Sequence, residues 1–405
     1  TTSTTDIVVK KKDTCTYNTF AVDTANLLKP DASQNNCVNC HKGIEPIRDP
    51  YSGMMQEIYK VAAKSGYKNN ECIVCHGGNP DAKDKNLAHA GSIDFFVDGE
   101  GPKDFYPDPS SPWININTCG TCHPEQVSTQ FTSLMFTEAG KIQGTTWGFG
   151  GIQGYNHDVA NIAVKEVEAH KRLGSDVYKK YMEELKTAEP HIFPGSMKGL
   201  PDAPTAEDVN KNPQLAVYTY LRQECQRCHT GVKGQSFDGD FRGMGCGSCH
   251  IPYSNKGLYE GNDPMIPKDK KGHALVHSIH STRDAKVKVH EKEYSGMPTK
   301  SCTSCHNRGR RIGVSYEGLM ETSYQSPFMS NGGSEPKIHK KNYIHLQADV
   351  HLTKGMLCQD CHTSGDVHSL GDLAGAIQGA VEIECTDCHG TPKQFPWESL
   401  IFLSF

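Results

Sequence analysis

Apolar positions are sparse along this chain, and few fall at a regular spacing. One run does: Val159, Ile162, Ala163, Val167, His170, Leu173, Val177, Tyr181 and Leu185 follow a three-four spacing. That spacing predicts helix over 157–188, with Gly174 as the point where it divides in two. Met55, Ile58, Val61 and Ala62 share one face of a shorter helix over 52–64. Leu215, Tyr218 and Leu221 predict a third helix over 213–224. These stripes read as packing faces. The strand signal is a single short one, Ile7-Val8-Val9, and Pro102–Pro112 and Pro190–Pro213 read as connectors. Near the C-terminus, between Trp397 and Phe405, the run Leu400-Ile401-Phe402-Leu403 reads as docking on the chain's own core, with docking on a second subunit as the alternative.

The rest of the chain is too polar for an ordinary core. Of 405 residues 36% are hydrophobic, and Gly (39) and Pro (22) are plentiful. Mean hydropathy is −0.58. Side-chain burial alone would struggle to offset the entropy of ordering such a chain. It is either disordered or built around something other than side chains. Net charge is −5 with His neutral, and the lysines at 10–12 and 268–271 form only short solvated runs, which argues against nucleic-acid binding. No apolar stretch reaches the roughly 18 residues of a membrane span. The chain begins at Thr1 without Met, which reads as a processed form whose signal peptide has been removed.

The cysteines decide between disorder and an unusual core. Sixteen of the 17 fall in Cys-x-x-Cys pairs, and His follows every pair at once. In order these are Cys37, Cys40 and His41; Cys72, Cys75 and His76; Cys119, Cys122 and His123; Cys225, Cys228 and His229. They continue with Cys246, Cys249 and His250; Cys302, Cys305 and His306; Cys358, Cys361 and His362; and Cys385, Cys388 and His389. Cys-x-x-Cys-His is the attachment signal of c-type haem. Two thiols add across the two vinyl groups of one haem as thioethers, and the adjacent imidazole binds the iron. Structural zinc sites do not need a His after each second Cys, and a disulfide framework has no use for it. Eight haems resolve the composition, because flat apolar porphyrins supply the burial that Leu and Val usually supply. Cys15 is left over and reads as a free or buried thiol, with a haem-contacting role as the alternative.

Twelve further His are present, enough to give every iron a second imidazole. The eleven Met do not recur in fixed relation to the motifs, so the haems are expected to be mostly bis-His and of low potential. The distal candidates are His89, His157, His277, His280, His290, His345, His351 and His368. Those lying between motifs are expected to reach a neighbouring haem. His170, His191, His273 and His339 read as exposed or hydrogen-bonded. The 106-residue gap between the third and fourth motif starts divides the chain into 1–130 with three haems, a helical connector over 131–222, and 223–405 with five. Short tethers make 37 with 72, 225 with 246, and 358 with 385 candidate stacked neighbours.

The segments Cys72-Ile73-Val74-Cys75-His76-Gly77-Gly78-Asn79-Pro80 and Cys358-Gln359-Asp360-Cys361-His362-Thr363 resemble those of multihaem c-type cytochromes on the surface of metal-reducing microbes. The resemblance implies a fold of loops and short α-helices wrapped around a haem chain, with little β. It implies extracellular electron transfer, with other redox proteins or extracellular acceptors as partners. Polymerisation into a filament joined haem to haem is known in the group. Haem is attached to such motifs outside the cytoplasm, which places the chain at the cell surface or beyond, with the periplasm as the alternative. The competing group is the octahaem oxidoreductases, which keep one iron open for substrate. No Cys-x-x-Cys-Lys motif of the octahaem nitrite reductases occurs, and the surplus of His favours closed irons. An electron conduit is therefore favoured over an enzyme.

Overall fold

The computed structural model describes residues 27–91, 105–154, 156–280 and 297–395, together with the backbone of two strands, Lys286–Val289 and Lys292–Ser295. The strand expected at 7–9, Cys15, His290 and the apolar run at 400–403 lie outside the described residues.

The described chain is mostly loop, interrupted by short helices, of which Asp176–Ala188 with 13 residues is the longest. Gly53–Lys64 follows its apolar stripe: Ser52 caps it by accepting the Met55 N–H, and Met55, Ile58, Tyr59 and Ala62 are buried. The third stripe is also realised, in three tightening and loosening turns. A 3₁₀ turn at Pro213–Leu215, the helix Ala216–Tyr220 and a π turn at Leu221–Cys225 run straight into the fourth motif.

The long helix expected over 157–188 is half realised. Helix begins only at Asp176, where Ser175 accepts the Tyr178 N–H. Upstream, Val159–Ala160 and Val164–Lys165 are strands flanking Ser196–Gly199, the first parallel (Val159 opposite Lys198) and the second antiparallel (Val164 opposite Met197). Branched Val suits a pleated surface once a partner strand is present, and Gly174 at φ +101° is where the chain turns into the helix. An ion network binds these pieces. Arg172 meets Glu166 at 2.6 Å and Asp372 at 3.2 Å, and Lys186 meets both carboxylates. A third pairing, Leu319–Thr322 with Asn342–His345, is antiparallel with Leu319 opposite His345.

Buried apolar side chains gather in four small clusters. Three draw on the stretch from Ala139 to Cys225: Ile142, Leu200, Val217, Leu221 and Cys225; Ala139, Ala160, Met197 and Leu373; and Met182, Ile192, Phe193 and Ala374. The fourth is Met55, Ile58 and Tyr59. Among the described residues between 226 and 369 the buried apolar side chains, such as Phe241, Met244, Tyr259 and Val314, stand outside these clusters. No helix among the described residues is long and apolar enough to cross a membrane.

Candidate haem-binding sites

Each attachment motif sits on a single helical turn or its edge. In six of them the His N–H donates to the carbonyl of the first Cys, four residues back, at 2.8–2.9 Å: His41 to Cys37, His76 to Cys72, His123 to Cys119, His250 to Cys246, His306 to Cys302 and His362 to Cys358. A helical turn puts positions i, i+3 and i+4 on one face. The two thiols and the imidazole of a motif are thereby brought to one side of the backbone, which is the arrangement a doubly tethered porphyrin needs. None of the sixteen motif cysteines is in a disulfide.

The imidazoles are oriented through Nδ1. His76 Nδ1 bonds the Tyr106 carbonyl at 2.9 Å, and His250 Nδ1 bonds the His280 carbonyl at 2.7 Å. His41 Nδ1 meets the Asp263 carboxylate at 2.6 Å, and His362 Nδ1 meets Asp366 at 2.6 Å. A ring held at Nδ1 presents Nε2 to a metal. His229 is the exception, since its Nδ1 accepts the Gly231 N–H at 3.1 Å. Burial pushes His76 down to about 4, with the nearby His277 adding to it. Burial also lowers His229 to about 4, with Arg242 and Lys141 contributing, so both rings are neutral near pH 7; His76 then offers Nε2 to a metal, whereas His229, accepting at Nδ1, carries its proton on Nε2. At His362 the Asp366 hydrogen bond outweighs burial and raises the imidazole.

Four of the eight distal candidates stand opposite a motif imidazole. Ring centroids are 6.2 Å apart for His41 and His89, 5.9 Å for His76 and His277, 6.2 Å for His250 and His368, and 5.8 Å for His389 and His351. Two imidazoles binding one metal from opposite sides through bonds of about 2 Å place their centroids about 6 Å apart. The residues present therefore fit a haem iron with two axial His. The distal rings are oriented too: His277 Nδ1 bonds the Glu45 carbonyl at 3.0 Å, His368 Nδ1 the Ser364 carbonyl at 2.9 Å, and His351 Nδ1 the Asp349 carboxylate at 2.8 Å. No group of three His, Cys, Asp or Glu that could hold a bare metal ion occurs among the described residues.

The other candidates are placed differently. His345 spends its Nε2 on Glu335 at 2.8 Å, with the side chain 62% exposed. His157 packs against Gly375. His280 is buried and offers its carbonyl to His250. Of the His set aside, His170 and His191 face carboxylates (Glu168 and Glu189) at the surface. Burial lowers His273, with Lys233 and Lys270 contributing. His339 is buried, lowered to about 4 by burial and then by Lys300 and Lys341, and its ring lies edge-on to Tyr343. Its burial singles it out as a candidate that spacing missed.

Thiols of different motifs also meet. Cys37 lies near Cys72, Cys119 near Cys246, Cys228 near Cys305, and Cys358 near Cys302, and the Cys305 thiol donates to the Cys228 carbonyl at 3.1 Å. The close pair 37 with 72 is as expected from its tether, whereas the Cys246 thiol meets the third motif and the Cys228 thiol meets the sixth.

Short helical turns that present paired thiols beside an imidazole, repeated through a loop-rich fold, suit the attachment of c-type haem. Residues 219–399, which hold the five C-terminal motifs, match the family described as outer membrane cytochrome MtrC/MtrF-like, domains II/IV. That family carries c-type haem, and the match supports an extracellular electron-transfer cytochrome, in agreement with the resemblance around Cys358, while the segment around Cys72 lies outside the matched residues. No curated protein and no solved structure matches the chain.

Proposed function

We propose that this chain conducts electrons through eight covalently held c-type haems at an extracellular or cell-surface location. Each haem, when bound, supplies a one-electron iron couple whose potential follows its axial ligands and its burial. The chain's own residues do the rest. Sixteen Cys would tether the porphyrins, and the eight motif His would each supply one imidazole to an iron. His89, His277, His368 and His351 would supply the second imidazole at the motifs of His41, His76, His250 and His389. The observation that carries this reading is the set of four imidazole pairs at 5.8–6.2 Å, each joining a motif His to a His from another part of the chain. An iron held between two imidazoles would leave no position for a substrate at these four motifs, which favours transfer over catalysis there. Nearby thiols group the first motif with the second, the third with the fifth, and the fourth, sixth and seventh together, which supports haems held as close neighbours within each group.

Intact mass and a pyridine haemochrome assay are expected to give eight c-type haems. EPR of the oxidised protein is expected to show low-spin ferric signals alone, and His368→Ala to add one high-spin signal. A substantial high-spin signal, or rapid carbon monoxide binding, in the unaltered protein overturns the closed-iron reading in favour of an oxidoreductase. Self-association into a filament is part of the proposal and draws on the apolar run at 400–403. Electron microscopy that finds only monomers across salt and concentration overturns that part.

A further inference from the structure

The first two motifs differ in what stands behind their imidazoles. His76 donates to a neutral carbonyl, Tyr106 O, at 2.9 Å. His41 meets a carboxylate, Asp263 Oδ2, at 2.6 Å, from 222 residues along the chain. Asp263 has no exposed side-chain surface. A buried carboxylate is costly unless its oxygens are engaged. Both are: Oδ2 faces His41 and Oδ1 accepts the Met265 N–H at 2.8 Å.

Behind Asp263 the polar contacts continue. The Asp263 N–H donates to Tyr259 Oη at 3.0 Å, and Tyr259 Oη donates to Glu45 Oε2 at 2.7 Å. The same Glu45 oxygen accepts the His277 N–H at 3.2 Å, while the Glu45 carbonyl bonds His277 Nδ1 at 3.0 Å. Burial pushes the Glu45 carboxyl up, but the hydrogen bonds from Tyr259, Asn262 and His277 outweigh it and hold it below its ordinary range. The assembly is tight around Gly261, where a Cβ would come within 2.4 Å of Tyr259 Oη and the Glu45 carboxylate oxygens. One chain of contacts thus joins the imidazole of the first motif to the imidazole facing the second.

We propose that Asp263 is a positioning and tuning residue, which locks the His41 ring through the Tyr259–Glu45 bridge and makes the first-motif iron the lower in potential of the first two. This rests on the haem reading above. A carboxylate on Nδ1 draws the ring proton toward itself, leaves Nε2 more electron-rich than a carbonyl does, and so favours the ferric over the ferrous iron. His76, backed by a carbonyl, is the internal reference.

The test is a dithionite titration of the haem-loaded full chain, followed by visible absorbance and EPR. Asp263→Asn keeps the shape and removes the charge. It is expected to raise the potential of one haem by an amount equal to about a tenfold change in its ferric-to-ferrous ratio, about 59 mV for one electron. The others are expected to keep their potentials. Asp263→Glu is expected to restore the lower value, which a purely structural staple would not do. A fully loaded Asp263→Asn protein that titrates like the unaltered one overturns the proposal while leaving the haem reading intact. Absence of c-type haem from the unaltered chain overturns both. Should Asp263→Asn fail to fold, near-infrared magnetic circular dichroism of the unaltered ferric protein decides: charge-transfer bands of neutral His ligation alone overturn the proposal, and an additional carboxylate-perturbed class supports it.

Discussion

The stretch from Ala139 to Cys225 and the stretch from Gln226 to His368 are solved by different physics. The first carries no attachment motif until its last residue and contributes to three of the four apolar clusters, with Val217 and Leu221 fully buried and a three-stranded sheet beside the helix Asp176–Ala188. The second holds three complete motifs and part of a fourth, and its buried side chains are scattered and often polar: Arg242, Asp263, His280, Asn307 and His339. Side chains that bury one another need neighbours at a regular spacing. Side chains that line a large flat cofactor need only face it. The difference separates a stretch where the polypeptide holds itself together from one that, on the function proposed above, would be completed by haem.

The sharpest way to break this contrast is to prepare the chain without haem. Limited proteolysis is then expected to cut first between 226 and 368 and to spare the helix Asp176–Ala188. Cleavage in the opposite order would mean that the C-terminal stretch has a sufficient core of its own. Next in size is Leu221→Ala. A fully buried Leu in a cluster loses about 2–5 kcal/mol on truncation, and the loss is expected in thermal unfolding of the loaded protein without change in haem content. The smallest effect concerns the seam between the two stretches, where Arg308 holds Glu224. The Arg308 hydrogen bond, against a weaker opposing effect of burial, lowers the Glu224 carboxyl. A carboxyl lower in the folded than in the unfolded chain stabilises above its unfolded value, near 4.3. That contribution disappears as pH falls through the folded value, because the unfolded state then binds no more protons than the folded one. Glu224 is 34% exposed, so the pair is worth roughly 0–1 kcal/mol. Urea midpoints at pH 6 and pH 3 are expected to differ slightly less in Glu224→Gln than in the unaltered protein.

Much of the architecture was legible where the signal is local. The helix at Gly53–Lys64 and the run from Pro213 into Cys225 follow their apolar stripes. The expected helix over 157–175 was not there. Val159, Ile162 and Ala163 keep a three-four spacing compatible with helix, yet Val159–Ala160 and Val164–Lys165 both pair with Ser196–Gly199, more than thirty residues downstream. Periodicity records which positions are apolar and is blind to a strand that arrives from elsewhere. The same limit applies to the imidazoles. His351 lies seven residues before the seventh motif but faces His389 of the eighth, and His368 lies just after the seventh but faces His250 of the fifth.

The sequence by itself determined which thiols and imidazoles share a turn, because two thiols and an imidazole within five residues form one turn whatever surrounds them. Tertiary structure alone decided which imidazole faces which, and that a buried Asp263 should stand behind His41 across 222 residues. Those choices depend on how loops cross in space, and loops without periodic apolar positions leave no trace of their partners in the order of residues.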